Sequence, residues 1–400
     1  MTASAGKSRR VLIIVENLPV PFDRRVWQEA TTLTGAGYAV SIICPIGKGF
    51  EAKREVVNGI EIYRHHLPVE GSGAFGYAAE YAVALFWEFI LAWRVLVTKG
   101  FDAIHACNPP DNIFLIGAFF KLFGKRFLFD HHDINPELYE AKFARRDVLY
   151  KLMLGLERWT FKLADVSIAT NESYRRIAIK RGGMPPEKVF VVRSGPNLDR
   201  LKIRPPVDKL KNGRKLLVGY VGVMGKQEGI HYLLQAAHYI VFNLGRLDVQ
   251  FGLVGGGTEL EELKALADRL GLTDYVTFTG RVPDDDMLAM LNTADVCVNP
   301  DVANEMNDKS TMNKIMEYMA LAKPIVQFDL TEGRCSAQGA SLYAIKNDAV
   351  DFANKIVYLL DQPALRTSMG NIGRQRIEQE LAWKYEIPRL LNAYEMLFRD

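Results

Sequence analysis

The stretch RVLIIVENLPVPFDRRVWQEATTLTGAGYAVSIIC, residues 10–44, decides the fold of this chain. It opens with one apolar run, VLIIV, and closes with another, AVSIIC. Between them Val26, Ala30 and Leu33 recur at helical spacing, and Gly35 marks the end of the helix. A strand, a helix and a strand in this order predict a βαβ unit. Strands that are apolar throughout indicate a parallel sheet covered by helices on both faces.

The same alternation continues along the chain and predicts an α/β protein with two doubly wound domains. Further strands of the first half are predicted at Ile60–Arg64, Asp102–Ala106, Arg126–Asp130, Asp165–Thr170 and Lys188–Val192. Pro205, Pro206 and the polar residues after them break the periodicity, as a linker does. Strands of the second half are predicted at Leu216–Val221, Val249–Val254, Tyr275–Thr279, Asp295–Asn299 and Pro324–Phe328. We expect domains at 1–204 and 205–380, and a last helix at 381–400 that docks back on the body.

Length and composition are those of a large soluble enzyme. The chain has 400 residues, of which 48% are apolar and 24% charged, enough for two hydrophobic cores. Its 50 Lys and Arg against 47 Asp and Glu give no general field that would hold a nucleic acid. The four cysteines show no paired spacing, and too few apolar residues follow the first ten for a signal peptide. We therefore expect a reduced, cytoplasmic protein.

Ligands of open parallel sheets bind beyond the carboxyl ends of the strands, so site residues are sought in the loops there. Side chains that cap helices cluster around the start of the segment 309–321: Asn307, Asp308, Ser310 and Thr311. The free amides and the positive end of the helix that follows could hold a diphosphate. Glu317, about two turns in, could accept hydrogen bonds from two hydroxyls of a ribose. The alternative is a capped amphipathic helix without a ligand.

EYMALAKPIV, residues 317–326, resembles the EAMAxGxPVV block of the family 4 retaining glycosyltransferases, which have the GT-B fold. LVGGGTELEELKALADRLGL and VTFTGRVPDDDMLAMLNTADVCVNP, within residues 253–300, are similar to the donor-domain core of that family, in the same order. PFDRRVWQEATTLTGAGYAVSIICP looks like its opening loop, helix and second strand, and IHACNPPD and FDHHD look like later strand ends. The resemblance thus spans nearly the whole chain.

This resemblance implies two Rossmann-like doubly wound domains that face each other across a cleft, with the last helix crossing back to the first domain. It implies an enzyme that moves a sugar, with retention, from a nucleotide-sugar that is UDP- or GDP-linked. The acceptor would be a carbohydrate or a lipid-linked molecule, in the synthesis of a bacterial cell-surface polysaccharide or glycolipid. No other cofactor, no metal and no nucleic acid are implied. A nucleotide-sugar epimerase of the same fold, or a sugar-nucleotide-binding protein that has lost catalysis, are the alternatives.

By resemblance, the donor site is built from loops of the carboxyl-terminal half. The tight turn after its first strand lets the backbone approach a phosphate closely, although such a turn could be purely structural. Residues after a later strand sit where relatives contact the base. The predicted donor-binding residues are Gly222, Met224, Gly225, Lys226, Arg281, Val282, Ser310, Thr311 and Glu317.

The chain departs from the family at the charges that hold the diphosphate. Many relatives carry a GRLxxxKG pattern, and its Arg and Lys positions are occupied here by Val223 and Glu228. A carboxylate expected eight residues before the glutamate of EYM is also missing, because Lys309 stands there. A doubly charged leaving group needs a cation, so we expect Lys309, or else Lys226 or Lys314, to supply it. The alternative for each lysine is a solvated surface charge.

Candidate catalytic and acceptor residues lie at strand ends of the amino-terminal half. His132 is expected to contact the transferred sugar or a phosphate, with Asp133 orienting it or binding the acceptor. With Lys309, these two are the predicted catalytic residues, and a partly buried structural pair is the alternative for the histidines. Arginine can hold an acceptor phosphate through two hydrogen bonds, whereas Asp23 could be a plain N-cap and His105 could be structural. The predicted acceptor-side residues are Asp23, Arg24, Arg25 and His105.

Three consecutive acids, Asp284, Asp285 and Asp286, invite a metal site of the kind found in glycosyltransferases of the other major fold. They follow Pro283 and open a predicted helix, where capping and the helix dipole explain acidic residues. We therefore expect no metal site.

The segment 77–97 carries more aromatic and aliphatic surface than one covered helix face needs: Tyr77, Tyr81, Phe86, Trp87, Phe89, Ile90, Trp93 and Val97. Glu80, Glu88 and Arg94 argue against a helix surrounded by lipid tails. Packing on a sheet hides one stripe. We expect the remainder, with Lys99 and nearby arginines, to rest on the cytoplasmic face of the inner membrane, where a lipid-linked acceptor is presented. The alternative is a wholly buried helix.

Overall fold

A computed structural model of the chain describes residues 8–67 and 73–399. The chain forms two compact units, Met1–Ser194 with Glu386–Asp400 (unit 1) and Gly195–Tyr385 (unit 2). Each contains a largely parallel sheet with helices between the strands, which confirms the predicted α/β class with two parallel-sheet domains. The boundaries predicted after residues 204 and 380 both fall within unit 2. Leu201 shows why, because it is fully buried in a core of unit 2 although it precedes the prolines.

Unit 1 contains an eight-stranded sheet with the order β3-β4-β2-β1-β5-β6-β7-β8. Its strands are β1 (Arg10–Ile14), β2 (Ala39–Pro45), β3 (Arg54–Val57), β4 (Ile60–His65), β5 (Ala103–Cys107), β6 (Arg126–His131), β7 (Val166–Ala169) and β8 (Val189–Val191). All pairs are parallel except β3 and β4, which form a hairpin. Its turn, Asn58 and Gly59, has φ of 50° and 80°, as two-residue hairpin turns need. The Asn-Gly pair is the sequence signal for β3, which was not predicted.

Six helices of unit 1 precede residue 195: α1 (Arg24–Gly35), α2 (Gly73–Thr98), α3 (Phe114–Lys121), α4 (Asn135–Phe143), α5 (Val148–Leu163) and α6 (Glu172–Lys180). Within α2, Glu80–Thr98 has a mean hydropathy of 1.5 and is long and apolar enough to cross a membrane, by length and composition only. It packs on β1, β2 and β4. Its fully buried stripe consists of Ala84, Glu88, Ala92 and Val95.

Unit 2 contains a six-stranded, wholly parallel sheet with the order β11-β10-β9-β12-β13-β14. Its strands are β9 (Leu216–Val221), β10 (Val249–Val254), β11 (Val276–Gly280), β12 (Val296–Asn299), β13 (Ile325–Phe328) and β14 (Ser341–Ala344). Its helices are α7 (Ile230–His238), α8 (Leu260–Arg269), α9 (Asp284–Thr293), α10 (Glu305–Lys309), α11 (Asn313–Ala320), α12 (Thr331–Ala337), α13 (Ala349–Leu360) and α14 (Pro363–Arg376). The four inner strands are buried nearly along their whole length, as a sheet covered on both faces requires, whereas the edge strands β11 and β14 are partly exposed.

The last helix, α15 (Trp383–Leu397), begins in unit 2 and continues into unit 1 at Glu386. The predicted apolar side of this helix is buried at Leu390, Tyr394 and Leu397. The Tyr394 hydroxyl lies 2.8 Å from Nδ1 of His105 on β5. The helix therefore docks on the sheet of unit 1 through both apolar packing and a buried hydrogen bond.

Candidate active site

The sheet of unit 2 has a switch point between β9 and β12. The chain runs from β9 outward through β10 to β11, then returns to place β12 on the other side of β9. The loops after β9 and β12 therefore diverge from neighbouring strand ends, which is where open α/β sheets bind ligands. The segments 222–229 and 300–312 form these two loops, and α11 follows the second.

Tyr318 on α11 holds the two diverging strands together. Its hydroxyl accepts a hydrogen bond from the Val221 amide at 2.9 Å and lies 3.3 Å from the Val298 carbonyl. The side chain is fully buried.

The loops after β9 and β10 pack backbone against backbone. The Met224 amide donates to the Gly256 carbonyl at 3.0 Å, and the Met224 carbonyl accepts from the Glu259 amide. A Cβ atom at Gly255 would stand 1.8 Å from the Gly222 carbonyl oxygen, so only glycine fits there. The prediction that Met224 contacts the donor is corrected, because its side chain is fully buried and both its backbone groups are bonded within the protein.

The remaining residues of these loops are open to a ligand to different extents. Gly225 precedes a single 3-10 turn, Lys226 to Glu228, and Lys226 is exposed. Arg281 follows β11 and is exposed beside the loop after β10, while Val282 packs on the core under α9 and α11. Gly222, Gly225, Lys226 and Arg281 thus lie at one edge of the unit 2 sheet.

The segment before α11 does not form the predicted cap. Asn307 and Asp308 belong to α10, and the N-cap of α11 is Met312, which makes no side-chain capping bond. The Asn307 amide group instead donates to the carbonyls of Gln227 and Val302, both at 2.8 Å, and so ties the two site loops together. Helix propensity alone could not show that a short helix, α10, would use these residues first.

Lys309 and Ser310 are engaged locally. The Lys309 ammonium lies 2.5 Å from the Glu305 carboxylate one turn earlier, and the Ser310 hydroxyl donates to the Met306 carbonyl at 2.7 Å. Thr311 follows directly, in the extended segment before α11. As a catalytic cation, Lys309 would have to leave Glu305 first.

Glu317 lies on α11 with its carboxylate hydrogen-bonded to the Arg200 guanidinium. Arg200 also lies 3.1 Å from Asp284 at the start of α9. Arg200 was missed by sequence reasoning, since it precedes the first strand of unit 2 by many residues and only the fold brings it to the site. It fixes the direction of the carboxylate that is expected to receive the ribose.

The first turn of α9 accounts for the three consecutive acids. α9 begins at Asp284, so all three stand where the positive end of the helix dipole favours a negative charge. Asp284 contacts Arg200, and Asp285 contacts Arg204 at 2.9 Å. Both contacts are ion pairs that join the start of α9 to the segment before β9.

In unit 1, His132 is held by Asp130. The Nε2 atom of His132 lies 2.6 Å from the Asp130 carboxylate. Residues two apart at a strand end point to the same side, which explains how β6 presents this pair. Among the described residues, no hydrogen bond reaches Nδ1 of His132, which leaves that nitrogen to a ligand. The predicted orienting role of Asp133 is corrected, because Asp130 performs it.

Arg25 contacts Asp130 of this pair, and its side chain is buried in the interior of unit 1. Its guanidinium lies 2.7 Å from Asp130 and 3.1 Å from Glu29, and it donates to the Val192 carbonyl at 2.8 Å. Burial would lower the pKa of Arg25, but the charges of Asp130 and Glu29 raise it above its usual value. The prediction that Arg25 holds an acceptor phosphate is therefore corrected, whereas Arg24 is exposed.

The pKa values of the two carboxyl groups beside Arg25 are shifted in opposite directions. Burial raises the pKa of Glu29 well above its usual range, and Arg25 only partly opposes this. Burial acts in the same sense on Asp130, but Arg25 and His132 outweigh it and hold the pKa of Asp130 well below its usual range. Burial thus favours the neutral form of Glu29, whereas Arg25 and His132 favour the charged form of Asp130.

His105 is buried beneath the same network. Its Nε2 atom lies 3.4 Å from Asp130, its Nδ1 atom is bonded to Tyr394, and burial lowers its pKa. The prediction of an acceptor contact is corrected, because no surface of His105 is exposed. Glu29, His105, Cys107 and Asp130 are the group of potential metal ligands that comes together among the described residues. Arg25 already supplies positive charge to both of its carboxyl groups.

Asn108 shapes the turn that carries His132 and Asp133. Its side-chain oxygen accepts from the amides of both residues, at 2.7 and 3.2 Å, and its amide group donates to the Asp133 carbonyl at 2.6 Å. The segments IHACNPPD and FDHHD therefore form one structure. His131, by contrast, is fully buried among Phe129, Phe161 and other rings, so the structural alternative holds for this histidine.

Asp23, two residues before Arg25, has a structural role. Its carboxylate accepts from the Val26 amide at 3.1 Å and caps α1. The N-cap alternative is confirmed, and the side chain is largely buried.

Comparison with known proteins agrees with both halves of this description. Residues 23–200 match the family described as Glycosyltransferase Family 4, and residues 215–362 match Glycosyl transferases group 1. The chain belongs to the family 4 glycosyltransferases. The family membership supports glycosyl transfer as the activity of this enzyme and does not support the epimerase alternative.

The glycosyltransferase has bacterial relatives with known reactions. It is 24% identical to the 2-deoxystreptamine glucosyltransferase of Streptomyces kanamyceticus, over 69% of this chain and 72% of the relative. It is 25% identical to the capsular polysaccharide biosynthesis glycosyltransferase CapM of Staphylococcus aureus, over 63% of this chain and 67% of that protein. These two relatives are thus a 2-deoxystreptamine glucosyltransferase and a glycosyltransferase of capsular polysaccharide biosynthesis.

Solved structures share the fold of the glycosyltransferase along its whole length. Sucrose-phosphate synthase of Thermosynechococcus elongatus superposes with a TM-score of 0.80 at 20% identity, over 98% of this chain and 99% of the other. WaaG, a glycosyltransferase involved in lipopolysaccharide biosynthesis, gives 0.70 at 16% identity, over 98% and 100%. HepE of Anabaena, solved with UDP-glucose, gives 0.71 at 16% identity, over 96% and 99%. The predicted GT-B fold is confirmed.

Proposed function

We propose that this glycosyltransferase takes its sugar from a nucleotide-sugar, UDP- or GDP-linked, which unit 2 binds at the switch point of its sheet. The observation that carries the proposal is the convergence of Gly222, Lys226, Arg281 and Glu317 at one edge of that sheet. HepE, which shares the fold, has been solved with UDP-glucose, and this supports the assignment.

Glu317 and Arg200 are proposed to bind the ribose. A carboxylate can accept hydrogen bonds from two neighbouring hydroxyls, and Arg200 fixes the side chain while leaving it one-seventh exposed. Arg281 and Val282 follow β11, which is two strands away from β9 in the sheet. They are proposed to contact the base, as their positions in the family pattern imply.

The reaction is proposed to proceed with retention, by displacement on the front face of the sugar. The bond between the anomeric carbon and the phosphate oxygen breaks, and the acceptor oxygen bonds to that carbon on the same face. The acceptor proton passes to the departing diphosphate. The diphosphate is thus both the leaving group and the base that accepts the proton. A cation beside it stabilises the negative charge that develops on it and so accelerates the reaction.

His132 is the proposed catalytic residue of unit 1. Because Asp130 holds Nε2, Nδ1 is the nitrogen available to a sugar hydroxyl or a phosphate. Asp133, in the same turn, is proposed to bind the acceptor, and burial raises the pKa of its carboxyl group. Arg24 remains the candidate for an acceptor phosphate.

The acceptor is proposed to be a carbohydrate or a lipid-linked molecule used for a bacterial cell-surface polysaccharide or glycolipid. CapM acts in capsular polysaccharide biosynthesis and WaaG in lipopolysaccharide biosynthesis, which supports this class. The proposal requires no metal, because amides and lysines can stabilise a diphosphate. Activity should therefore persist in EDTA, and a strict need for added manganese or magnesium would contradict this part of the proposal.

Incubation with a panel of radiolabelled UDP-, GDP- and dTDP-sugars tests the proposed function. A transferase releases the nucleotide and moves the label to an added carbohydrate or lipid-linked acceptor. An epimerase would change the sugar without an acceptor, and a protein that only binds would release no nucleotide. The donor that turns over also names the base and the sugar.

Unit 1 is proposed to rest on the cytoplasmic face of the inner membrane through three neighbouring helices. Rings of α2 contact rings of α3, as in the pair Phe89 and Phe119, and α3 packs on α5. Exposed apolar side chains on this surface, called here the apolar face, are Phe86, Trp87, Ile90, Val97, Leu115, Leu122, Phe123, Val148, Leu152 and Trp159. α2 is therefore not wholly buried, and Tyr77 lies outside the residues whose side chains the structure describes.

Cations flank the apolar face, as expected of a surface that meets anionic lipids. Exposed basic residues on or beside α2 and α5 are Arg94, Arg145, Lys151, Arg158 and Lys162. Lys99, predicted to take part, lies 2.5 Å from Glu61 and is partly neutralised. The combination of large apolar side chains with flanking Lys and Arg is typical of helices that lie in a membrane interface.

A further inference from the structure

A buried lysine lies between two carboxylates at the switch point of unit 2. Lys314 stands in the first turn of α11 and is 9% exposed. Its Nζ atom lies 2.5 Å from the Glu228 carboxylate and 2.7 Å from the Asp301 carboxylate. Tyr220 completes the cluster, with its ring centroid 5.0 Å from Nζ and its hydroxyl donating to Glu228 at 3.2 Å. Lys314 is thus no solvated surface charge.

The three charged residues come from the three segments that form the site. Glu228 ends the turn after β9, Asp301 follows β12, and Lys314 opens α11. β9 and β12 flank the switch point, so the cluster stands where the diphosphate of a donor is expected. It also lies directly beside the positions where Val223 and Glu228 replace the cations of relatives.

The cluster contains two carboxyl groups for one ammonium group, which is one carboxylate more than charge neutrality requires. Burial raises the pKa of Asp301 to about 7 against the lowering effect of Lys314, and its buried Oδ2 atom has no hydrogen-bond partner among the residues that the structure describes. Burial would lower the pKa of Lys314, but Asp301 and Glu228 raise it well above its usual value. Lys314 therefore stays charged, and a single carboxylate suffices to hold it.

Glu228 is the carboxylate that is able to leave. Its side chain is 17% exposed, whereas that of Asp301 is 1% exposed. Its turn is bounded by Gly225 and by Gly229, which has a φ of 63°. Asn307 ties the backbone of this turn to the second loop, so Glu228 can leave by rotation of its partly exposed side chain alone, while Asp301 remains fixed after β12.

We propose that Lys314 is the cation that receives the diphosphate of the donor, and that Glu228 occupies it until the donor binds. The phosphate oxygens replace the Glu228 carboxylate on the ammonium, and Asp301 keeps the lysine in place. The positive charge that relatives carry on the loop after β9 has thus moved to α11, and the loop carries its counter-ion. The inference rests on the proposed function, because it requires a nucleotide-sugar donor at this edge of the sheet.

Calorimetry with UDP and uridine, or with GDP and guanosine if the enzyme prefers them, measures what the phosphates contribute to binding. Glu228→Gln removes the competing charge, and we expect nucleoside diphosphate to bind about fivefold tighter with nucleoside affinity unchanged. The double variant Lys314→Met with Asp301→Asn removes the ammonium without leaving Asp301 charged. It should bind the diphosphate at least about 30-fold more weakly, again with nucleoside affinity unchanged.

Matched controls are Glu261→Gln and Lys264→Met, an exposed ion pair on α8, which should change neither affinity. Thermal unfolding shows whether each variant is folded, and Lys314→Arg, which keeps the charge, should retain most of the diphosphate affinity if the double variant does not fold. Unchanged diphosphate affinity in the Glu228 and Lys314 variants would overturn the inference, as would weaker binding in Glu228→Gln. A wild-type enzyme that binds neither UDP nor GDP would instead contradict the proposed function.

Discussion

His132 depends on residues that are far from it in the sequence. Asp130 bonds its Nε2 atom, Arg25 neutralises Asp130, and Asn108 fixes the turn on which it stands. A hydrogen-bonded carboxylate selects the orientation of an imidazole and the nitrogen that it presents. Asp130 is thus a positioning residue that acts through His132.

Asp130→Asn is expected to lower kcat by about 100-fold per folded molecule, because the imidazole loses the carboxylate that orients it. The double-mutant cycle with His132→Phe separates this role from a merely structural one. If Asp130 acts through His132, the double variant turns over no more slowly than His132→Phe alone. Asp165→Asn, at the amino end of the same sheet, is the matched control and should leave kcat unchanged. Additive losses in the cycle would count against the positioning role.

Glu317→Gln is expected to weaken binding of the donor nucleotide at least about tenfold, because a neutral amide cannot accept charged hydrogen bonds from both ribose hydroxyls. Calorimetry with UDP and its 2′,3′-dideoxy analogue locates the effect. The wild type should prefer UDP strongly, and Glu317→Gln should have lost that preference. Asp284→Asn removes the other partner of Arg200 and should keep the preference. A variant at Glu317 that still distinguished the two nucleotides would exclude the ribose contact.

The site residues that could not be predicted from the sequence have one property in common. The motifs placed His132 at the end of a strand and Glu317 on a helix, although α11 begins at Asn313, so that Glu317 lies about one turn into it and not two. Their partners, Asp130 and Arg200, are polar residues whose role depends on three-dimensional proximity. The period-two spacing of Asp130 and His132 was a usable signal, but nothing local in the sequence links Arg200 to a residue 117 positions later.

At the scale of elements, α2 combines an exposed apolar face with a buried acidic group. Glu88 is fully buried, and Glu16 after β1 and His65 at the end of β4 are nearly so. The His65 Nε2 atom lies 3.9 Å from Glu88, and both Glu88 carboxylate oxygens have no hydrogen-bond partner among the described residues. Burial, reinforced by Glu16, raises the pKa of Glu88 to about 8, and burial, reinforced by Glu80, raises that of Glu16 to about 7.

These raised pKa values make the stability of unit 1 depend on pH. The folded protein keeps protons on Glu16 and Glu88 that the unfolded chain loses near pH 4.5. Their contribution is therefore full below that pH and is lost as the pH rises through 7 and 8. His65 has the opposite effect on stability, because burial lowers its pKa below 6.5. Its contribution to the free energy of unfolding therefore rises with pH and no longer changes above about pH 7.

Glu88→Gln is therefore expected to stabilise the enzyme at pH 8.5 by a few kcal/mol, since each pKa unit corresponds to about 1.4 kcal/mol. Urea unfolding followed by circular dichroism at pH 5.5, 7 and 8.5 provides the measurement. The gain over wild type should grow across this range from about 1.4 kcal/mol at pH 5.5, which is one unit above the pKa of 4.5 in the unfolded chain. Glu51→Gln, at an exposed position, should show no such trend. A gain that did not change with pH would mean that Glu88 is ionised at every pH tested.

Helices and strands were more predictable from the sequence than the boundaries between the two domains. Apolar strands and amphipathic helices at βαβ spacing specify a parallel sheet, and both sheets were found. The short helix α10 and strand β3 were missed, because a five-residue helix and a half-exposed edge strand leave almost no hydrophobic period. Leu201, which packs in unit 2 before the prolines, shows that a linker-like composition does not locate the end of a core.

At the scale of the whole molecule, the two units differ in the surface that they expose. In unit 1, large apolar side chains are exposed on α2, α3 and α5, and α3 packs against both of the other helices. Unit 2 exposes fewer, on separate elements, including Phe242, Leu244 and Leu247 after α7, Ile345 after β14 and Tyr358 on α13. A contiguous apolar face flanked by cations indicates a partner, whereas scattered apolar residues need none.

The enzyme is expected to co-sediment with vesicles that contain phosphatidylglycerol, and less with vesicles of phosphatidylcholine alone. Phe86→Ser, Trp87→Ser and Trp159→Ser together should reduce the bound fraction at least about tenfold, because they remove exposed rings from α2 and α5. Trp93 is left intact, since it packs edge-on against Phe120 of α3 and its loss would disturb the fold.

Two further variants separate lipid binding from loss of structure and from simple charge attraction. Tyr358→Ser removes an equally exposed ring from unit 2 and should bind vesicles like the wild type. Lys151→Glu with Lys162→Glu should weaken binding only to the anionic vesicles, and the remaining difference should shrink as salt is added. Activity on a water-soluble acceptor should stay unchanged in the ring variant, because the three rings belong to α2 and α5 whereas His132 follows β6. A folded wild type that stayed in the supernatant with both kinds of vesicle would exclude the membrane contact.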